Sequence, residues 1–110
     1  MRPLLANVPQ SMEEWSRFSL ANLTDHQQFI VAIKAQKNVD LPMYQIEPIN
    51  WQYPQGWLEQ HAQQHIDMDR IIGAQSVDLL DVDITDLHQL QAWIYLHWQE
   101  HQTAGKILGV

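Results

Sequence analysis

The sequence predicts an all-α protein: a small bundle of three or four helices forming a single domain over residues 1–110. Three observations lead there. A helical unit occurs twice, at 57–73 and 93–109, offset by 36 residues without a gap. Both copies space their apolar residues three and four apart, the pattern of one helix face. Around them, helix caps alternate with helix-breaking prolines, which divides the chain into helices and connections.

Residues 1–10 contain Pro3 and Pro9 and read as an irregular arm. Ser11-Met12-Glu13-Glu14 is a capping box, with two acids at the positive end of a helix that faces Trp15, Phe18 and Leu23 inward. Thr24-Asp25-His26-Gln27 looks like a second cap, so a break or kink is expected near Asn22. A further helical stretch follows from Asp25 to about Lys37, carrying Phe29, Ile30, Ala32 and Ile33, and Asn38 ends it.

Residues 38–55 differ in kind. Pro42, Pro48 and Pro54 forbid a long helix, while Tyr44, Ile46, Ile49, Trp51 and Tyr53 are too apolar for a solvated linker. The segment is expected to run extended across the helices, and these five residues are the candidate interface for a neighbouring protein.

The first repeat helix covers about 55–72. The second starts near Thr85 or Asp86 and runs to about Leu108, after an acidic connection over 74–85. Six of the 17 aligned positions are identical, among them Trp57/Trp93, His61/His97 and His65/His101. At about 100° per residue, Trp57, His61, His65, Met68 and Ile72 share one stripe, and Trp93, His97, His101, Ala104 and Leu108 share its twin. Gly73 and Gly109 close the two units, and a pseudo-two-fold relation between the helices is expected.

The repeat carries the one pattern with metal chemistry. Histidines at i and i+4 can offer two imidazoles to one ion, and two such helices can supply four: His61, His65, His97 and His101. Zn or another transition metal (Ni, Cu or Fe) suits such a nitrogen-only set. The competing reading makes them core histidines bonded to Gln63, Gln99, Glu59, Glu100 or one another. His97-Trp98-Gln99-Glu100-His101 also fits the H-x-x-E-H pattern of inverted zinc proteases, but only nine residues follow His101 for a third ligand, and the first copy has Gln64 in place of the acid. His26 and His88 stand alone near expected helix starts and read as surface residues. The acids of 78–86 interleave with Leu80, Val82 and Ile84 and lack the spacing of a calcium loop. No phosphate-binding loop or nucleophile elbow is present.

A formal net charge of −7 with no basic cluster argues against nucleic-acid binding. The absence of cysteine removes disulfides and thiolate metal sites. Asn7 and Pro9 interrupt the apolar start before a signal-peptide core forms, and no apolar run is long enough to span a membrane, so a soluble chain of intracellular origin is expected.

Glu14-Trp15, Phe18-Ser19-Leu20-Ala21-Asn22, Asp25-His26-Gln27, the Pro-rich middle, and Gln91-Ala92-Trp93-Ile94 with Gln99-Glu100-His101-Gln102 together resemble a group of small proteins of unassigned role. These are encoded among the structural genes of tailed bacteriophages. The resemblance covers most of the chain and implies a virion protein, assembled in the host cytoplasm, with no catalytic residues to carry over. The leading expectation is therefore a non-enzymatic structural or adaptor protein without a cofactor, present in several copies and contacting other virion proteins. A metal-binding helical protein is the alternative.

Overall fold

The computed structural model describes residues 2–39, 54–74 and 82–110. The candidate interface residues Tyr44, Ile46, Ile49, Trp51 and Tyr53 lie outside the described residues, as do 75–81 of the acidic connection. Among the described residues three α-helices carry the fold: α1 (Met12–Lys37), α2 (Pro54–Ile72) and α3 (Leu87–Leu108), with a short 3-10 turn at Arg2–Ala6 before them. No helix among the described residues is long and apolar enough to cross a membrane.

Local chemistry sets the helix ends. The Ser11 hydroxyl accepts from the Glu14 backbone N–H at 3.1 Å, and the Asp86 carboxylate accepts from that of Gln89 at 3.1 Å. Asn38 stops α1 in the left-handed conformation, and Gly109 (φ 76°) stops α3, its N–H bonding back to the Gly105 carbonyl at 2.8 Å. The expected break near Asn22 does not occur: α1 is continuous for 26 residues. Thr24 to Gln27 imitate a cap, but Asn22, Asp25 and His26 are all buried, and their tertiary partners hold the backbone in the helix. The N-terminal arm is likewise less irregular than expected, since its 3-10 turn brings Leu5 into the core at 0% exposure.

All three helices run in the same direction. At their N-terminal ends Phe18, Trp57 and Trp93 meet, with ring centroids 5.9 Å apart for Phe18–Trp93 and 6.2 Å for Trp57–Trp93. At their C-terminal ends Ile33, Ile72 and Leu108 share a second apolar cluster, and the Gln36 side chain donates to the Leu108 carbonyl at 2.7 Å. Each connection thus leads from the C-terminal end of one helix to the N-terminal end of the next, which requires far more chain than the short loops of an up-and-down bundle.

The parallel arrangement changes the expected symmetry. Phe18, Asn22, His26, Phe29 and Ile33 on α1 occupy the same register as the two repeat stripes on α2 and α3, and all five are buried. The relation is therefore a pseudo-threefold among three helices rather than a two-fold between two. Two apolar clusters, one around Trp15, Phe18, Trp57 and Trp93 and one around Phe29, Ile33, Met68 and Leu108, enclose a polar layer between them.

Candidate metal centre

That layer consists of one pair of side chains from each helix, spaced i and i+4: Asn22 and His26, His61 and His65, His97 and His101. All six are buried, and five ring nitrogens, one from each histidine, lie within 4.8 Å of one another. The four histidines singled out from the sequence all converge here. His61 and His97 sit at the same level, with Nε2 atoms 2.9 Å apart.

The donors form two stacked triangles. In the first, Asn22 Oδ1 lies 3.0 Å from both His61 Nε2 and His97 Nε2. In the second, His26 Nε2 lies 3.1 Å from His65 Nε2 and 3.2 Å from His101 Nε2. The i, i+4 pairs link them, at 3.1 Å for His61–His65 and 3.1 Å for His97–His101. The seven donor pairs measured are 2.9–3.2 Å apart, and an octahedron with edges of that length has its centre about 2.2 Å from each corner, close to the ~2.0–2.1 Å of a zinc–imidazole bond.

Each triangle is oriented by its own device. In the second, the outer Nδ1 atoms face acceptors that stand immediately before the donor of each helix. His101 Nδ1 donates to Asp25 Oδ2 at 2.6 Å, His26 Nδ1 donates to Gln64 Oε1 at 3.0 Å, and Glu100 Oε2 lies 2.9 Å from His65 Nδ1. The pattern is cyclic: α1 supports the histidine of α3, α3 that of α2, and α2 that of α1. In the first triangle the rings are fixed by stacking, Trp57 on His61 at 4.6 Å and Trp93 on His97 at 4.7 Å, each with an interplanar angle of 8°. His61 Nδ1 and His97 Nδ1 make no hydrogen bond among the described residues.

Burial keeps four of the rings neutral. Desolvation lowers His26 to about 3 and His65 to about 4, and drives His61 and His97 well below 6.5, with the neighbouring histidines adding to the effect on His26, His61 and His97. Protons on Nδ1 of His26 and His101, where Gln64 and Asp25 accept, leave the Nε2 lone pairs of these two rings facing each other across 3.2 Å, with His65 Nε2 3.1 Å from that of His26. In that tautomer no proton joins the two. Such an arrangement repels itself unless a cation sits in the middle, and carboxylate or amide support behind a ligating imidazole is the usual outer shell of a metal site.

Two sequence expectations need correction. His26 is not a surface residue but a fully buried fifth histidine at the centre of the layer. Gln63 and Gln99 do not serve the histidines, since Gln63 bonds Asp67 at 2.9 Å and Gln99 bonds Tyr95 at 2.8 Å. His88 is exposed, as expected. Asn22, His26, Asp25 and Gln64 were not recognisable from the repeat of α2 and α3 alone. The missing signal was the stripe Phe18, Asn22, His26, Phe29, Ile33, which matches both repeats in spacing and only partly in residue type.

No family model, curated protein or solved structure matches the chain.

Proposed function

We propose that the chain is a metal-binding protein that holds one first-row transition ion at the centre of its three-helix bundle, ligated by His26, His61, His65, His97 and His101, with Asn22 Oδ1 as a sixth donor. The observation that carries this reading is the convergence of His65 Nε2 and His101 Nε2 on His26 Nε2 at 3.1 and 3.2 Å, with Gln64 and Asp25 accepting from the Nδ1 atoms of His26 and His101. Buried polar groups in a settled core pair donor with acceptor, whereas His26 and His101, protonated at Nδ1, face each other acceptor to acceptor.

The ion ties three helices whose connections are long, so its binding energy becomes folding energy. All six donors come from the protein, which leaves no position open to a substrate and favours a structural or electron-carrying role over hydrolysis. The expected place of the chain among phage structural proteins is compatible with a metal-stapled bundle; it rests on the resemblance alone.

The test is metal competition. Protein purified without a tag, then stripped and titrated with Zn(II), Ni(II) or Fe(II) against a coloured chelator, should bind one ion per chain. His65→Ala and His101→Ala should abolish that binding while His88→Ala leaves it unchanged. Stoichiometric binding that survives both substitutions would place the ion elsewhere and end this reading.

A further inference from the structure

We infer that the ion this centre is built for is iron, held six-coordinate and cycled between Fe(II) and Fe(III) by outer-sphere one-electron transfer. The inference rests on the metal reading above and deepens it.

Charge is the first reason. The six inner donors are neutral: five imidazoles and one amide. Around them three carboxylates are buried in the same layer, Asp25 at 3% exposure, Asp69 at 4% and Glu100 at 8%. Asp25 and Glu100 address the Nδ1 atoms of His101 and His65, and Asp69 acts electrostatically on His65. With the three carboxylates ionised, a divalent ion leaves this buried set one negative charge in excess, whereas a trivalent ion balances it. In a low-dielectric interior that difference weighs heavily. Of the metals that imidazole suits, iron is the one whose trivalent state is readily reached.

The outer shell works in the same direction. A carboxylate at the far nitrogen of a ligating imidazole makes the ring a stronger donor, which favours the higher oxidation state. The 2.6 Å contact of His101 with Asp25 is the shortest of the three supports. The third support, Gln64 behind His26, is neutral, so the set is weighted toward Fe(III) without being fully anionic.

Access and exit fit an electron rather than a substrate. His26, His61, His97 and His101 are at 0% exposure, and all six candidate donors are buried side chains of the protein. Trp57 and Trp93 lie parallel against two of the ligand rings, with 5% and 4% of their own surfaces exposed. They extend the stack of rings from the ligands into the N-terminal apolar cluster. The reaction balances simply: Fe(II) gives up one electron to a soluble one-electron acceptor and becomes Fe(III), with no bond formed or broken at the metal.

The experiment loads the full chain with Fe(II) under anaerobic conditions, counts bound iron, and titrates it with redox mediators while following the Fe(III) signal by electron paramagnetic resonance. One iron per chain with a reversible one-electron transition is expected. Asp25→Asn should raise the midpoint by at least a tenfold change in the Fe(III)/Fe(II) ratio, about 59 mV for one electron. Gln64→Glu should lower it, and that opposite shift keeps the test open if Asp25→Asn folds poorly. Bound iron that cannot be cycled, or a midpoint that neither variant moves, would overturn the redox inference and leave the metal reading standing. Stoichiometric Zn(II) with no Fe(II) uptake would overturn the choice of iron. Failure to bind any of the ions would overturn both.

Discussion

Asp25 on α1 accepts a 2.6 Å hydrogen bond from Nδ1 of His101 on α3, a residue 76 positions further along the chain. This bond fixes the tautomer of His101 and turns its Nε2 toward the centre of the bundle. Loss of an outer-shell carboxylate typically costs ~10–100-fold in metal affinity. Asp25→Asn should show a loss of that size in chelator competition, with the helical circular-dichroism signal of the loaded protein unchanged.

Asn22 stands where the other two helices have His61 and His97, and its Oδ1 lies 3.0 Å from each of their Nε2 atoms. Asn22→Asp changes almost no volume but puts an anionic oxygen at the sixth position. The loaded protein should bind a divalent ion more tightly. The metal-free variant should be less stable by about 3–5 kcal/mol, the usual cost of an uncompensated buried charge. Urea unfolding with and without metal measures both arms, and a variant equally stable in both states would count against Asn22 as a donor.

The depressed histidines give the metal-free protein a definite pH dependence. His26 titrates at about 3 and His65 at about 4 in the folded chain, against about 6.5 when unfolded. Below pH 6.5 the unfolded state therefore binds more protons, and stability falls as the pH drops toward 4. Above about pH 7.5 these groups contribute no slope. Between pH 6.5 and 5 each ring accounts for a loss on the order of 2 kcal/mol. The thermal midpoint of the stripped protein should fall by at least several degrees over that interval. Metal-loaded protein should release its ion in the same acid range, because the ligands must be neutral to bind. A midpoint that is flat from pH 7.5 to 5 would contradict the buried neutral histidines.

Leu5 tests the N-terminal turn. Its side chain is fully buried against Trp15, Phe18 and Trp93, although the sequence reads as a loose arm there. Leu5→Ala should cost about 2–5 kcal/mol in urea unfolding, the range for a buried leucine. A change under 0.5 kcal/mol, as for an ordinary surface site, would detach the arm from the core.

The legible part of this chain was set by local periodicity. Capping by Ser11, stopping at Asn38 and Gly109, and the buried stripes of α2 and α3 all follow from spacing and residue type, and so did the choice of His61, His65, His97 and His101. What escaped was set by tertiary contact. Thr24-Asp25-His26-Gln27 has the local chemistry of a helix start, and only the packing of α2 and α3 against Asn22, Asp25 and His26 overrides it. The third member of the repeat was hidden for the same reason: Phe18 and Asn22 replace tryptophan and histidine, so similarity of spacing had to stand in for identity. The direction of the helices was not readable either, since a repeat of one helix is compatible with parallel or antiparallel packing until the helix ends are placed.

Elemental analysis of untagged protein, purified without chelator and checked for folding by circular dichroism, addresses the five-histidine centre most directly. One equivalent of a first-row transition metal per chain, lost together with thermal stability on treatment with a strong chelator, is the predicted result. A well-folded chain that carries no metal, takes none up on titration and melts at the same temperature with or without chelator would contradict it.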